Sequence, residues 1–219
     1  MKFSLKNCNF FIISLKGDEE KFEKTAEKVI ELGIERDRIQ KIDGVKKEQH
    51  HIGILYSHID AIRQGLESED PFVVLEDDIS INNRAIEIEL PEDTDSLYLG
   101  ISSWGFKNSP PNFAQHPFVL ADNIPGFNSV KRIKNMLSAH AICYINKQYT
   151  RDLLGMLNRS LTKNTYYGKT SNQILYFGNK IVPCDITMAN NQPFHNVMGM
   201  RNPIFYQAGK HEYCTLIKI

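Results

Sequence analysis

At 219 residues the chain is long enough to bury a core of its own, and its 42% hydrophobic and 24% charged residues exclude a disordered or low-complexity chain. No apolar run approaches the ~20 residues of a membrane-spanning helix. The start at Met1-Lys2-Phe3-Ser4-Leu5-Lys6 lacks a following apolar stretch with a small-residue cleavage site, so a cytoplasmic protein without a transmembrane segment is expected.

The formal net charge of zero hides an asymmetry. Residues 1–130 hold 14 Lys+Arg against 23 Asp+Glu, a balance of −9, and residues 131–219 hold 12 against 3, a balance of +9. Either the basic half faces something anionic, or the two halves neutralise one another where they pack. The four cysteines, Cys8, Cys143, Cys184 and Cys214, form no C-x-x-C pair, which argues for buried thiols over a zinc ribbon or a disulfide scaffold.

In chain order, the apolar run 9–15 predicts a buried strand, and Lys16-Gly17-Asp18 a turn with Asp18 as N-cap. Phe22, Ala26, Val29 and Ile30 then share one helical face, and Gly33 stands where a helix stops. Residues 34–42 lead back to the sheet and end at the turn signal Asp43-Gly44. A second helix is expected over 52–66, with Ile54, Leu55, His58, Ile59 and Ile62 near one face. Phe72-Val73-Val74-Leu75 reads as a strand buried on both faces, and residues 96–101 as another.

Residues 102–130 carry no periodicity and suggest a functional loop or a small hairpin insertion. A strand over 139–145, a helix over 147–157, a short helix near 172–177 and a late strand at Ile181-Val182-Pro183 complete the reading. The alternation predicts one α/β domain over 1–219, its mixed but mostly parallel sheet flanked by helices, with 1–130 as its acidic half and 131–219 as its basic half.

The chemistry concentrates at Glu76-Asp77-Asp78, straight after the 72–75 strand. Neighbouring carboxylates repel and lose hydration when partly buried, so such a triplet is costly unless a cation offsets it. Ligands of open α/β sheets bind at the carboxyl ends of the strands. Alternation sends Glu76 and Asp78 to one side and Asp77 to the other. Two hard oxygen ligands on one side suit Mg²⁺ or Mn²⁺.

The run into Glu76-Asp77-Asp78 resembles the Leu-Glu-Asp-Asp motif of glycosyltransferase family 25, which includes lipooligosaccharide and collagen hydroxylysine galactosyltransferases. Ile12-Ile13-Ser14-Leu15-Lys16 is similar to that family's opening strand and turn, and Asp43-Gly44 to its Asp-Gly. Gly53, Ser57 and His58 fit its Gly-x-x-x-Ser-His pattern, and Tyr98-Leu99-Gly100 and His140-Ala141 resemble two further signatures. The likeness runs over roughly the first 145 residues and is specific in combination.

The resemblance implies a GT-A type, Rossmann-like domain that moves a sugar from a nucleotide-sugar, a UDP-sugar above all, to an acceptor hydroxyl. It implies donor contacts at Ser14, Leu15, Lys21, Asp43, Gly53, His58, Glu76 and Asp77. It also implies a metal at Glu76 and Asp78, with the late His195 as a further ligand and Asp78 acting in catalysis.

The chain departs from the family in two places. Lys21 stands for an early Arg, and Ser171-Asn172 for an Asp that would be a base candidate; an amide cannot take that proton. Either the base lies elsewhere or the reaction is retaining; Asp152 and Asp185 are the only acids between Asp122 and Glu212, and Asp185, following Ile181-Val182-Pro183, is the candidate base, with inverting and retaining courses both open. Trp104, the sole Trp, suits either sugar stacking or the core.

The resemblance points to a glycan acceptor such as lipooligosaccharide. Lys131, Arg132, Lys134, Lys147, Arg151, Arg159, Lys163, Lys169, Lys180 and Arg201, interleaved with Tyr149, Tyr166, Tyr167, Tyr176 and Tyr206, leave a hydroxylated base in DNA as the alternative. A non-catalytic sugar-binding module is the second alternative.

Overall fold

The computed structural model describes residues 1–102, 119–162 and 181–208 in full, together with the backbone of Gly105–Lys107, Ala114–His116, Tyr166–Tyr167 and Ile174–Leu175. Its centre is an eight-stranded sheet. In chain order the strands are β1 (Asn9–Leu15), β2 (Ile39–Gly44), β3 (Phe72–Glu76), β4 (Ser96–Tyr98), β5 (Ala121–Ile124), β6 (Phe127–Ile133), β7 (Ala141–Tyr144) and β8 (Val197–Met200). Their spatial order is β5-β6-β8-β4-β7-β3-β1-β2.

Only β1–β2, β1–β3 and β4–β8 pair in parallel; the other four neighbouring pairs are antiparallel. The sheet is mixed and flanked by helices, as expected, but it is not mostly parallel. The cause is β7, which enters antiparallel between β3 and β4, and the β5–β6 hairpin at the edge. That hairpin falls in the aperiodic stretch read as a loop or hairpin insertion. Strands from both charge halves interleave in this one sheet.

Each central strand is buried on both faces, which is why its sequence is continuously apolar. Phe10, Ile12, Val73 and Leu75 point into one core, with Phe22, Ala26 and Val29 of helix α1 (Glu19–Glu31). Phe11, Phe72 and Val74 point into the other, with Leu55, Ile59 and Ile62 of α2 (His50–Gly65) and Tyr149 and Leu153 of α3 (Lys147–Ser160).

The α1 face shifts slightly from the expected one. Thr25 is buried in it and Ile30 is 40% exposed, because the i, i+3, i+4, i+7 stripe 22-25-26-29 excludes position 30. Asp18 precedes α1 but makes no side-chain cap; its carboxylate pairs with Lys21 at 2.8 Å instead.

Two late expectations are overturned. Ile181-Val182-Pro183 is not a strand but the lead into α4 (Cys184–Asn191), since Pro183 at the N-cap presets helix entry. Ile174–Leu175, inside the expected short helix, pairs as a strand with Tyr166–Tyr167. Cys8, Cys143 and Cys184 are free and buried, as read; Cys214 lies outside the described residues. No helix among the described residues is long and apolar enough to cross a membrane.

Candidate functional site

The parallel trio β2-β1-β3 brings the predicted donor residues to one edge. Ile13 is in register with Glu76, Ser14 with Asp43, and Leu15 with Gly44, so the carboxyl ends of three strands form a single row. Leu15 is 39% exposed there, and Asp43 is exposed and pairs with Lys41 at 3.4 Å.

The acidic turn is clamped from the α1 side. Ser14 Oγ donates to Asp77 Oδ2 at 2.6 Å, Thr25 Oγ1 to the Asp77 carbonyl at 2.9 Å and Lys28 Nζ to the Ile79 carbonyl at 2.6 Å. Asp77 is thus turned under the helix. Lys21 is exposed at the same helix end; its hydrogen bond to Asp18 raises its ammonium pKa, and the charges of Asp77 and Asp78 add to the rise.

Glu76 and Asp78 take the opposite direction and converge. The side-chain amide nitrogen of Gln207 donates to Asp78 Oδ2 at 2.9 Å and to Glu76 Oε2 at 3.4 Å. One atom therefore touches both carboxylates. Gln207 ends the strand Phe205–Gln207, which pairs with Ile79–Ile81 directly behind the acidic turn. The aperiodic tail gave no sign of this residue.

Glu76 is held from behind as well. Its amide donates to the His140 carbonyl at 2.9 Å, and Oε1 meets His58 Nε2 at 3.2 Å. A carboxylate oxygen only accepts, so Nε2 carries the proton in this contact, while Nδ1 of the buried ring has no partner among the described residues. The two short signatures meet beside Glu76: a Cβ on Gly100 would lie 2.1 Å from His140 Nε2, so only glycine leaves room for that ring.

Asp185 joins this neighbourhood from the first turn of α4. Burial pushes its carboxyl above the ordinary range and the charge of Glu76 adds to the rise, against the Ile186 amide, which donates at 2.8 Å, and His58.

His195 does not join it. Its Nδ1 lies 3.7 Å from Asp95 Oδ2 and its ring packs edge-on against Tyr149, at 4.9 Å between centroids. Asp95 precedes β4, level with the start of β3, whereas Glu76 ends β3. The five-residue strand puts roughly 13 Å between those edges. The expected role of His195 as a metal ligand is thereby corrected.

At Asp95, burial acts to raise the carboxyl, and the nearby His195 ring, the hydrogen bond from the Asn196 amide and Asn146 outweigh it, leaving it below its ordinary value of 3.8. A lowered carboxyl contributes stability that is present above pH 3.8 and is lost as pH falls through its folded value. Asp95→Asn is expected to cost about 1–2 kcal/mol near neutral pH and less as pH falls through the folded value, checked by denaturant melts at neutral and acid pH.

The donor set at the acidic edge fits a hard divalent cation: two carboxylates converge on one point, backed by an amide. Among the described residues no group of three or more His, Cys, Asp or Glu surrounds it. A cation there would have to complete its shell with waters and phosphate oxygens, which suits Mg²⁺ and Mn²⁺.

The basic half is partly spent on the acidic one. Lys134 pairs with Asp122 at 2.5 Å and Lys147 with Glu69 at 3.1 Å, and Tyr149 is buried. Side chains of Trp104, Lys163, Tyr166, Tyr167, Lys169, Tyr176 and Lys180, and all of Ser171-Asn172, lie outside the described residues.

No protein-family model matches the sequence, and no curated protein matches it. Among solved structures, the chain is similar to a glycosyltransferase involved in the glycosylation of the major capsid of PBCV-1. The TM-score is 0.41 and the identity 12%, over 69% of this chain and 66% of that one. The chain thus spans just under two thirds of that structure, and a likeness of this size fixes neither fold family nor activity.

Proposed function

We propose that the protein is a metal-dependent glycosyltransferase of GT-A type that moves a sugar from a nucleotide-sugar, a UDP-sugar in the first instance, to a glycan hydroxyl. The observation that carries this reading is the convergence of Glu76 and Asp78 on one amide nitrogen at the carboxyl edge of three parallel strands. The family-25-like motifs around it support the same reading.

Glu76 and Asp78 would hold the cation, with Asp77, Ser14 and Thr25 fixing the turn that aims them. A divalent cation bound there offsets the negative charge that builds on the departing diphosphate. Leu15, Asp43 and the loop packed on Gly53 line the same edge and would bind the nucleoside. Lys21 stands ready at the end of α1 for a phosphate oxygen. His58 holds Glu76 in one orientation by its Nε2–H, a positioning role. Asp185, its carboxyl moved up by burial and by Glu76, is a better proton acceptor than an ordinary aspartate and would take the acceptor hydroxyl's proton.

Calorimetry with UDP-sugars, with and without Mn²⁺, followed by a donor-hydrolysis assay, tests the proposal. Mn²⁺-dependent binding with slow hydrolysis is expected. Binding without any turnover leaves a non-catalytic module, and no binding of any nucleotide-sugar sinks both readings. Asp185→Asn is expected to keep donor affinity within about threefold and to lower transfer by about 10²–10⁴-fold, the usual share of a general base. Equal transfer rates in steady-state assays would remove Asp185 from that role.

A further inference from the structure

A late residue that is not a histidine stands beside the two converging carboxylates. Gln207 reaches both carboxylates with one end of its amide, at 2.9 and 3.4 Å. Its position is set by the backbone: Gln207 pairs with Ile79, the Ala208 amide donates to the Asp78 carbonyl at 2.6 Å, and Phe205, two residues earlier, is fully buried. The side-chain head therefore stays beside the carboxylates whichever way its amide faces.

We infer that Gln207 is the third protein ligand of the divalent cation, through its side-chain carbonyl; this rests on the metal-dependent reading of Glu76 and Asp78. The separations support it. Oxygens that are neighbours in an octahedral shell of radius ~2.1 Å lie ~3.0 Å apart, so the amide head already stands at ligand-to-ligand distance from both carboxylates. Without a cation, the NH₂ end faces the two acceptors and satisfies them. With a cation between them, the NH₂ end would meet positive charge, and a half-turn about the terminal torsion replaces it by the carbonyl oxygen. That rotation moves no backbone. A neutral third ligand also leaves the two carboxylate charges matched to one divalent ion before a diphosphate arrives.

The 219-residue chain is titrated with Mn²⁺ alone, followed by electron paramagnetic resonance. Gln207→Ala is expected to raise the Kd for Mn²⁺ about 10–100-fold, and Gln207→Glu, which keeps an oxygen in place, to restore or tighten binding. Mg²⁺ is expected to shift the side-chain ¹⁵N signal of Gln207 in the parent as its hydrogen bonds to the carboxylates are lost, a readout that needs no variant to fold. If Gln207→Ala binds Mn²⁺ as tightly as the parent or more so, or if the ¹⁵N signal stays put while Mg²⁺ binds, the ligand role is refuted and the metal reading stands. A parent that binds no Mn²⁺ refutes both.

Discussion

Replacing Glu76 by Gln and Asp78 by Asn together is expected to lower kcat/KM for sugar transfer on the order of 10³-fold, with the response to Mn²⁺ abolished. Both substitutions keep shape. The amide oxygens still accept from His58 and from Gln207, so the hydrogen-bonded frame around the turn survives and only charge is removed. Because adjacent carboxylates repel, the double variant should also melt higher than the parent in the absence of metal, and should no longer gain stability when Mn²⁺ is added. The decisive comparison is a Mn²⁺ titration of rate and of melting temperature in both proteins. Turnover within about tenfold of the parent's would end the case for this turn as the metal site.

Gly53→Ala is the second large effect. A Cβ there would lie 2.2 Å from the Val45 carbonyl oxygen, which is backbone and is fixed in place: the Val45 amide donates to Ser57 Oγ at 2.8 Å, and Ser57 Oγ donates to the Gly53 carbonyl at 2.8 Å. Alanine gains about 1 kcal/mol in a helix interior, but the overpacking costs more, and a net loss of about 2 kcal/mol is expected. For a chain of this size that lowers the melting temperature by ~4–8 °C. The displaced loop follows Asp43 and Gly44, so donor affinity should fall with it. Gly155→Ala in α3 is the control: nothing lies within 4 Å of a Cβ there, and the same exchange should raise the melting temperature. Equal shifts in the two variants would show that the Val45 contact is not tight.

The part of this site that was legible in the sequence is the part with a short period. The continuous apolar run at 72–75 announced a strand buried on both faces, and strand alternation alone separated Glu76 and Asp78 from Asp77, as their contacts with Gln207 and Ser14 now describe. What stayed hidden depended on which strands are neighbours. His195 looked available for the metal until the order of β3, β7 and β4 put it at the far edge beside Asp95. Gln207 was invisible for the converse reason, since a three-residue strand is too short to show a period. Ile30 was misassigned because an apolar residue one step off the buried stripe looks the same in sequence as one on it.

The seating of Phe205–Gln207 against Ile79–Ile81 also sets when the protein can begin to work. Gln207 lies 129 residues beyond the aspartate it contacts, so a nascent chain leaves the ribosome with its acidic turn exposed long before the strand that backs it has been synthesised. Closing so distant a contact is among the slow events of folding. The acidic turn therefore stays unbacked until Gln207 has been synthesised, and a chain released after Pro203 would carry the carboxylates without the strand that steadies them.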